Sequence, residues 1–415
     1  MTQEPYKLPK GWQWVRLGEV CTINPRRPHI QREPDMPTTF IPMSAIDDET
    51  GTIVAAEERP FEQVRKGYTY FEENDILFAK ITPCMENGKA AIARGLLDGI
   101  GFGSTEFHVL RPNAFVVPKW IWLFVRREQF REDAKRSFRG GVGQQRVPQE
   151  FLERYLIPLP PLEEQKRIVA RVEELMSRIR EAKRLRQEAK QEAERLWQSV
   201  LSETFPKSKT ELPKGWQWVR LEEVCTLIES GFAFRKRGAP QGDLLHLRPY
   251  NIAEDGTLDL SQRFYVPSSL RSARYKLLQS GDVLFNNTNS VELVGKTALV
   301  QEPLEAAFSN HITLLRSDTT KAEGAWIALA LQALWRQGFF ANLCNKWIGQ
   351  AGINTETLKK VLIPLPPLKE QRRIVEHLQD VQGKIKALKE AQAQTDAELK
   401  RLEQAILDKA FRGEL

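Results

Sequence analysis

The same two segments occur twice in this sequence, and the repetition constrains the fold more than any other feature. Residues 7–22 read KLPKGWQWVRLGEVCT and residues 211–226 read ELPKGWQWVRLEEVCT, identical at 14 of 16 positions. Residues 157–169, IPLPPLEEQKRIV, match residues 363–375, IPLPPLKEQRRIV, at 11 of 13 positions. The chain is therefore two copies of one architecture, offset by 204 to 206 residues.

Between these matching segments the copies diverge but keep a common pattern of elements. Short apolar, β-prone runs at 76–81 and 283–288 predict strands, and Asp75 and Asp282, which precede them, are interpreted as turn residues. Stretches rich in Trp, Leu and Ala follow in each copy and predict helices. Each copy is therefore expected to hold a globular domain of mixed α and β structure.

Each globular stretch ends at Pro-Leu-Pro-Pro, residues 158–161 and 364–367. Proline interrupts both helix and sheet, so these are predicted to be stiff, extended joints. The predicted boundaries are 1–157 for the first domain, 158–205 for its joint and helix, 206–363 for the second domain, and 364–415 for the second joint and helix.

After each joint, apolar residues recur at alternating steps of four and three, the heptad pattern of a coiled coil. Each run is about 40 residues, or roughly 60 Å of helix. We expect the two helices to pair as an antiparallel coiled coil, although both stripes packing on the globular domains is an alternative. The predicted seam is Ile168, Val172, Leu175 and Ile179, continuing through Leu185 and Leu196, and Ile374, Leu378, Val381, Ile385, Leu388, Leu399, Leu402 and Ile406.

The ends of the repeats predict a closed arrangement. Phe205 ends the first helix just before the second copy opens, and Phe411 ends the second helix near the end of the chain. An antiparallel helix pair would carry one globular domain at each end and bring the two chain termini together. The molecule would then have approximate two-fold symmetry within one chain.

The residues do not form a convincing catalytic or metal site. Gly295-Lys296-Thr297 resembles the end of a phosphate loop, but Ser290 stands where that motif requires glycine. The five histidines and four scattered cysteines lack metal-ligand spacing, and the cysteine spacing favours reduced thiols in a cytoplasm. A net charge of +7 mildly favours an acidic partner. The sequence lacks a stretch apolar enough for a membrane span.

The LPKGWxWVxLxEV opening, the IPLPPLxEQxRIV joint and the AILDKAFRGEL ending at 405–415 resemble Type I restriction-modification specificity subunits. The resemblance covers the whole chain. It implies two target-recognition domains, each reading one half of a split DNA site. It also implies that the helices act as a spacer and as docking surfaces for two modification subunits.

The resemblance further implies that this chain is not itself an enzyme and binds no cofactor. Its partners would be double-stranded DNA, two modification subunits that methylate adenine from S-adenosylmethionine, and restriction subunits that use ATP and Mg²⁺. Two alternatives remain: the recognition portion of a fused restriction or modification enzyme, and a coiled-coil scaffold unrelated to DNA.

Residues that read bases should lie where the two copies differ, and Arg, Lys, Asn and Gln are the side chains suited to phosphates and base edges. Trp12, Trp14, Trp216 and Trp218 lie in the shared part and are interpreted as packing aromatics. The candidates of the first copy are Arg26, Arg27, His29, Lys80, Thr82, Arg139, Gln144, Gln145 and Arg146. Those of the second copy are Arg235, Lys236, Arg237, Arg248, Tyr250, Asn286, Asn287, Thr288, Asn289, Lys346 and Gln350.

Overall fold

The structure, a computed structural model, describes residues 6–141, 143–206, 211–234, 242–270 and 277–415, apart from the side chains of Leu270 and Gln394. The chain forms two compact units. Unit 1 comprises Met1–Arg186 and Ala393–Leu415, and unit 2 comprises Gln187–Gln392. Both long helices therefore contribute one part to each unit.

Unit 1 is built from short strands and helices, followed by the first long helix. Its strands are β1 (Gln13–Arg16), β2 (Cys21–Ile23), β3 (Pro37–Ile41), β4 (Glu57–Pro60), β5 (Thr69–Glu72), β6 (Ile76–Ala79), β7 (Ala90–Ile92), β8 (Ile100–Gly103), β9 (Phe107–Pro112) and β10 (Leu156–Leu159). Its helices are α1 (Leu17–Val20), α2 (Phe61–Val64), α3 (Pro118–Val125), α4 (Glu128–Arg136) and α5 (Gln149–Arg154), and α6 (Leu162–Thr204) begins here.

The strands of unit 1 form two four-stranded sheets and a ribbon. One sheet is antiparallel, in the order β2-β9-β6-β7. The other has the order β4-β3-β8-β5, with β3 and β8 parallel. The ribbon pairs β1 with β10, the two segments that the copies share. Strand β6 is buried at every position, which explains why its sequence is a continuous apolar run rather than an alternating one.

Unit 2 repeats this plan, and its described residues place three strands in the second sheet. Its strands are β11 (Gln217–Arg220), β12 (Cys225–Ser230), β13 (Leu244–Leu247), β14 (Tyr265–Val266), β15 (Val283–Asn286), β16 (Thr288–Asn289), β17 (Thr297–Leu299), β18 (Ala306–Phe308), β19 (Ile312–Ser317), β20 (Asn345–Trp347), β21 (Gln350–Gly352) and β22 (Leu362–Leu365). Its helices are α7 (Leu221–Val224), α8 (Gly324–Arg336), α9 (Phe339–Leu343) and α10 (Thr355–Lys359), and α11 (Leu368–Arg412) begins here.

The sheets of unit 2 correspond to those of unit 1. The antiparallel sheet has the order β12-β19-β15-β17, the mixed sheet is β14-β13-β18, and the ribbon pairs β11 with β22. A further sheet, β16-β21-β20, extends from the end of β15. The predicted strands at 76–81 and 283–288 are confirmed as β6 and β15, and the mixed α and β class is confirmed in both units.

A buried ion pair holds the antiparallel sheet in each unit. The Asp75 carboxylate accepts hydrogen bonds from Nε and Nη2 of Arg111 at 2.9 and 2.8 Å, and only 2% of its side chain is exposed. Asp282 and Arg316 repeat the pair at 2.8 and 2.7 Å. Both aspartates do precede strands, as predicted, but their side chains are structural anchors, because losing one partner would leave a buried charge uncompensated.

Each proline joint is fixed by a buried glutamine of the shared EQ pair. Gln165 is fully buried; its Oε1 accepts from the Val117 amide at 2.9 Å, while Nε2 donates to the carbonyls of Pro160 and Phe115 at 2.9 and 3.1 Å. Gln371 makes the corresponding three bonds at 2.9, 2.8 and 3.1 Å. The glutamine therefore supplies the hydrogen bonds that proline-rich backbone cannot make for itself.

In unit 1 the first part of α6 runs antiparallel to the last part of α11. Ile168, Val172 and Ile179 share one apolar core with Ile406, and residues of the globular domain belong to the same core. Both predicted packing modes thus occur together. Two interhelical contacts fix the direction: Lys183 to Glu403 at 3.0 Å and Arg186 to Asp396 at 2.8 Å. Arg167, nearer the start of α6, donates to the Leu415 carbonyl just beyond the end of α11 at 2.7 Å.

In unit 2 the last part of α6 packs beside the first part of α11. Trp197 and Leu201 share a core with Val375 and Leu378, and Lys389 pairs with Glu194 at 3.0 Å.

The residues of the predicted seam differ in burial, and four of its leucines are exposed. Leu388 and Leu402 are 40% and 48% exposed, and Leu185 and Leu196 are 51% and 55% exposed. Trp197, next to the exposed Leu196, is buried instead, so the buried stripe of α6 is shifted by one residue at this point. Ile168, Val172, Ile179, Leu378 and Ile406 are buried as predicted, and Leu175, Ile374, Val381, Ile385 and Leu399 are half-buried.

The predicted closeness of the chain termini is confirmed within unit 1. The Tyr6 hydroxyl donates to the Phe411 carbonyl at 2.7 Å. The buried Phe411 ring lies 4.3 Å from the ring of Trp120, which in turn contacts Trp12 at 5.8 Å. In unit 2, Phe205 occupies the place of Phe411, 4.8 Å from the Trp326 ring. Among the described residues, no helix is long and apolar enough to cross a membrane.

Truncating either terminal phenylalanine should destabilise one unit selectively. Phe411→Ala removes a fully buried ring, and such a cavity costs about 3–5 kcal/mol. We expect hydrogen exchange measured by mass spectrometry to accelerate mainly in unit 1. Phe205→Ala is the matched control and should accelerate exchange mainly in unit 2. Equal acceleration of both units by either variant would contradict this assignment.

Candidate nucleic-acid interface

In unit 1 a hairpin closes over the end of β6 and collects most of the candidates. Arg139 and Arg146 exchange backbone hydrogen bonds of 3.0 and 2.9 Å. The Val147 amide donates to the Lys80 carbonyl at 2.9 Å, and the Thr82 amide donates to the Gln145 carbonyl at 3.1 Å. We call residues 139–147 the unit 1 hairpin; Val142 lies outside the described residues.

One carboxylate organises the positive charge beside this hairpin. Glu106 accepts from Nε and Nη2 of Arg146, both at 2.8 Å, and this bond holds the pKa of Glu106 below its usual value. Burial lowers the pKa of Lys80, as does the neighbouring Arg146, while Glu106 opposes both effects. Arg139 is 75% exposed and lies 3.7 Å from Glu150. Arg146 is therefore a fixed group, whereas Arg139 is the one able to reach outward.

The other candidates of unit 1 are placed differently. The Thr82 hydroxyl donates to Glu86 at 2.6 Å, so its side chain is already used locally. Arg26, Arg27 and His29 are exposed on the segment that follows β2. Arg27 donates to the Arg65 carbonyl after α2, so the structure associates it with the mixed sheet rather than with the hairpin.

Unit 2 has a hairpin at the corresponding position, formed by β20 and β21. We call residues 345–352 the unit 2 hairpin. Lys346 and Gln350 are exposed on it, and its inner strand pairs with Thr288 and Asn289 of β16. The structure thus brings together four of the predicted residues of the second copy, at the same end of the antiparallel sheet as in unit 1.

Two predicted readers of unit 2 have buried side chains. Asn286 is fully buried and its Nδ2 donates to the Leu293 carbonyl at 3.0 Å. Asn287 is 5% exposed, and its Nδ2 reaches the Asn310 carbonyl at 3.1 Å and the Thr313 hydroxyl at 2.8 Å. These amides tie the end of β15 to its neighbours, and neither is positioned to meet a ligand.

The remaining candidates of unit 2 lie on the mixed sheet. Arg248 stacks its guanidinium 4.4 Å above the Phe264 ring and donates to the Phe234 carbonyl at 3.3 Å; burial lowers its pKa. Tyr250 is 47% exposed on the turn that follows. Arg235, Lys236 and Arg237 lie outside the described residues.

Sequence reasoning missed the two residues at the tip of the unit 2 hairpin. Trp347 is 60% exposed and Ile348 is fully exposed. The available signal was an apolar residue directly before the glycine of a predicted loop, in both copies. The four shared tryptophans, in contrast, are half-buried; Trp12 and Trp216 pack on Trp120 and Trp326, as predicted.

The described residues of the two hairpins offer cations and amides, and the unit 2 hairpin adds an apolar tip, a combination suited to binding. Asp75, the carboxylate nearest in sequence to Lys80, has both oxygens engaged by Arg111. It therefore has no free oxygen for the Asp-Lys pattern of a nuclease or for a metal ion.

Comparisons with known proteins agree with this architecture. The model of a family described as Type I restriction modification DNA specificity domain matches residues 9–191 and again residues 213–396. The Type I restriction enzyme EcoAI specificity subunit of Escherichia coli is 26% identical over 471 residues, covering 91% of this chain and 79% of that protein. The EcoEI specificity subunit of Escherichia coli is 40% identical over 175 residues, which is 42% of this chain and 29% of that protein.

Solved structures extend the agreement to the whole chain. The HsdS subunit from Thermoanaerobacter tengcongensis is 37% identical, covers 100% of both chains and has a TM-score of 0.63. A chain from a structure on complex assembly and conformational transition of the type I R-M system is also 37% identical, covers 99% of this chain and 100% of its own, and has a TM-score of 0.81. The similarity supports the specificity-subunit interpretation over a fused enzyme or an unrelated scaffold. With two family domains, two recognition units and a long helix between them, the chain belongs to the Type I restriction-modification DNA specificity subunits.

Proposed function

We propose that residues 1–157 and 206–363 are recognition domains that each read one half of an asymmetric, split DNA site through their hairpins. The proposal rests on one observation: the two units share a scaffold but carry different hairpins. The Asp75–Arg111 pair and the Gln165 clamp recur in unit 2. In contrast, Arg139 and Arg146, which pair across the unit 1 hairpin, correspond to Asn345 and Gly352 in the unit 2 hairpin. Unlike readers on like scaffolds are what an asymmetric site requires.

In this proposal the segments 158–205 and 364–415 form a spacer. Helix α6 has 43 residues and α11 has 45, each about 65 Å long. A buried aromatic residue at the end of each helix, together with a glutamine clamp at its start, makes each helix a stiff connection. The length of the spacer would set the number of unread base pairs between the half-sites, as dimer geometry does in other DNA-binding proteins.

The shared segments supply the surface on which two copies of one modification subunit would dock. Lys10 and Gln13 are exposed in unit 1, and Lys214 and Gln217 are the identical, equally exposed residues of unit 2. Because these side chains are exposed, packing in a core does not explain why they are identical in the two units. A partner that binds both units in the same way does. The modification subunits would transfer methyl groups from S-adenosylmethionine to adenine, and restriction subunits would use ATP and Mg²⁺. The proposed site of action is the cytoplasm, consistent with four unpaired cysteines.

Salt-dependent binding tests whether the unit 2 hairpin contacts DNA. Lys346→Ala should lower the slope of log K against log salt by about 1, because one phosphate contact is lost. Titration of the full chain with a fluorescent duplex over a range of salt concentrations measures the slope. Lys321→Ala removes the same charge beyond β19, at the opposite end of the sheet, and should leave the slope unchanged. If both variants gave the same salt slope, the unit 2 hairpin would not be part of the DNA interface.

Exchanging residues 20–157 for the matching domain of another specificity subunit should change one half of the recognised site only. The domain carries the whole unit 1 hairpin and its sheet, while unit 2 keeps its own. Methylome sequencing of a host that expresses the hybrid with a modification subunit gives both half-sites directly. A change in both halves of the recognised site would show that the two domains do not each read one half.

Lengthening both helices should lengthen the gap between half-sites. One heptad inserted after Ala189 and one after Ala393 adds about 10 Å while keeping the seam in phase, which corresponds to about 3 base pairs. The methylated sites should show the longer gap. Seven residues inserted into the exposed segment that follows Arg26 are the control and should leave the gap as it was. If the heptad variant kept the original gap, the helices would not set the distance between the half-sites.

A further inference from the structure

The tip of the unit 2 hairpin presents apolar surface that the fold does not use. Ile348 is completely exposed and Trp347 is 60% exposed, the two largest exposures among the large apolar side chains described in unit 2. Isolated surface apolar residues are common, but here two consecutive ones stand at the tip of a projecting turn.

Turn formation does not require an isoleucine at this position. The turn is made by Gly349, whose φ of +76° favours glycine, and β-branched residues are not among the usual turn formers. In unit 1 the equivalent Gly143 has a φ of +82°, and the residue before it in the sequence is Val142. Both copies thus carry a β-branched apolar residue directly before the turn glycine.

The tip is held rigidly. Residues 345–347 pair in register with 350–352, and the inner strand pairs in turn with β16. The Trp347 ring lies against Gly352, where an added Cβ would come within 3.0 Å of the ring. Glycine at 352 therefore leaves room for the Trp347 ring beside the neighbouring strand, where the ring backs the tip.

The surroundings of the tip are suited to a nucleic-acid duplex. Lys346 and Gln350 are exposed on either side of it, and Thr288 and Asn289 lie on the adjoining strand. A rigid apolar point flanked by a cation and amide groups matches a base stack lying between phosphate backbones. A protein that bound this surface would have to cover the polar side chains on either side as well as the apolar tip.

We propose that Ile348 inserts between two adjacent base pairs of the half-site read by unit 2, supported from behind by Trp347. Lys346 contacts a neighbouring phosphate, and the duplex is kinked at the step that Ile348 enters. Apolar side chains act as such wedges in other DNA-bending proteins. This inference rests on the proposed function, and it adds that unit 2 recognises the deformability of a base step as well as base edges.

A wedge has a signature that a simple surface contact lacks. A mismatch at the inserted step lowers the cost of unstacking, so a protein that inserts a side chain gains affinity there. The probes are duplexes recovered by the full chain from a random-sequence pool, each remade with a single mismatch at successive positions. We expect the unsubstituted chain to bind about 10-fold more tightly at one mismatch position, and energy transfer between dyes on the duplex ends to report a bend.

Ile348→Ala should abolish both the gain at the mismatch and the bend, and should leave the salt slope unchanged because no charge is lost. Ile348→Val should retain both, and Trp347→Ala should weaken them. Leu277→Ala is the matched control: its side chain is 49% exposed in the same unit, its carbonyl accepts from Arg316 of β19 at 3.0 Å, and the variant should behave like the unsubstituted chain. Circular dichroism and hydrogen exchange confirm that each variant is folded.

The outcomes separate this inference from the function on which it rests. If the full chain selects a sequence but no mismatch position improves binding, or if Ile348→Ala keeps the gain and the bend, the wedge is refuted and the reading function stands. A loss of affinity in Ile348→Ala without a mismatch effect in the unsubstituted chain likewise refutes insertion. If the full chain selects no sequence, the proposed function fails, and the wedge fails with it.

Discussion

The burial of one tryptophan in each unit is the interaction on which the rest of the structure depends. Trp120 donates its indole N–H to the Pro158 carbonyl at 3.1 Å, and Trp326 donates to Pro364 at 2.8 Å, so each ring is tied to a proline joint. Each ring is then covered by the terminal phenylalanine of a long helix. Because that helix begins at the joint of the other copy, neither globular domain is complete without a segment from elsewhere in the chain.

This dependence explains which parts of the chain remain alike. The residues that contact the tryptophan, the joint and the clamp glutamine must fit one buried arrangement, and small errors in such packing are costly. The hairpins are held mainly by backbone hydrogen bonds, as between Arg139 and Arg146, and these bonds place few demands on side chains. Base-reading side chains can therefore differ between the copies without disturbing either core.

The sequence predicted the elements better than it predicted the surroundings of individual side chains. The strands that begin at Ile76 and Val283 and both long helices follow from repetition and local patterning. Pro158 and Pro364, predicted to interrupt sheet structure, instead lie in the edge ribbons, paired with Trp14 and Trp218. Asn286 and Asn287 were misjudged because polar residues after a strand resemble a loop, and only the neighbouring β19 and β21 segments show that they are enclosed. Leu388 and Leu402 fit the heptad count but are exposed, because periodicity along one helix does not show what covers each position.

These errors have a physical reason. Burial along one element leaves a periodic pattern in the sequence, whereas a contact between residues distant in sequence leaves none. Periodicity reports which face of an element is buried, but it carries no information about a partner distant in sequence, such as Arg111 for Asp75 or Glu106 for Arg146. The duplication supplies part of that information, since Asp282 and Arg316 recur at the corresponding places. Glu106 and Arg146 belong to the divergent part, so comparing the copies gives no sign of their pairing. What the duplication leaves undetermined is thus concentrated in the hairpins, the region in which the two halves of an asymmetric site must be told apart.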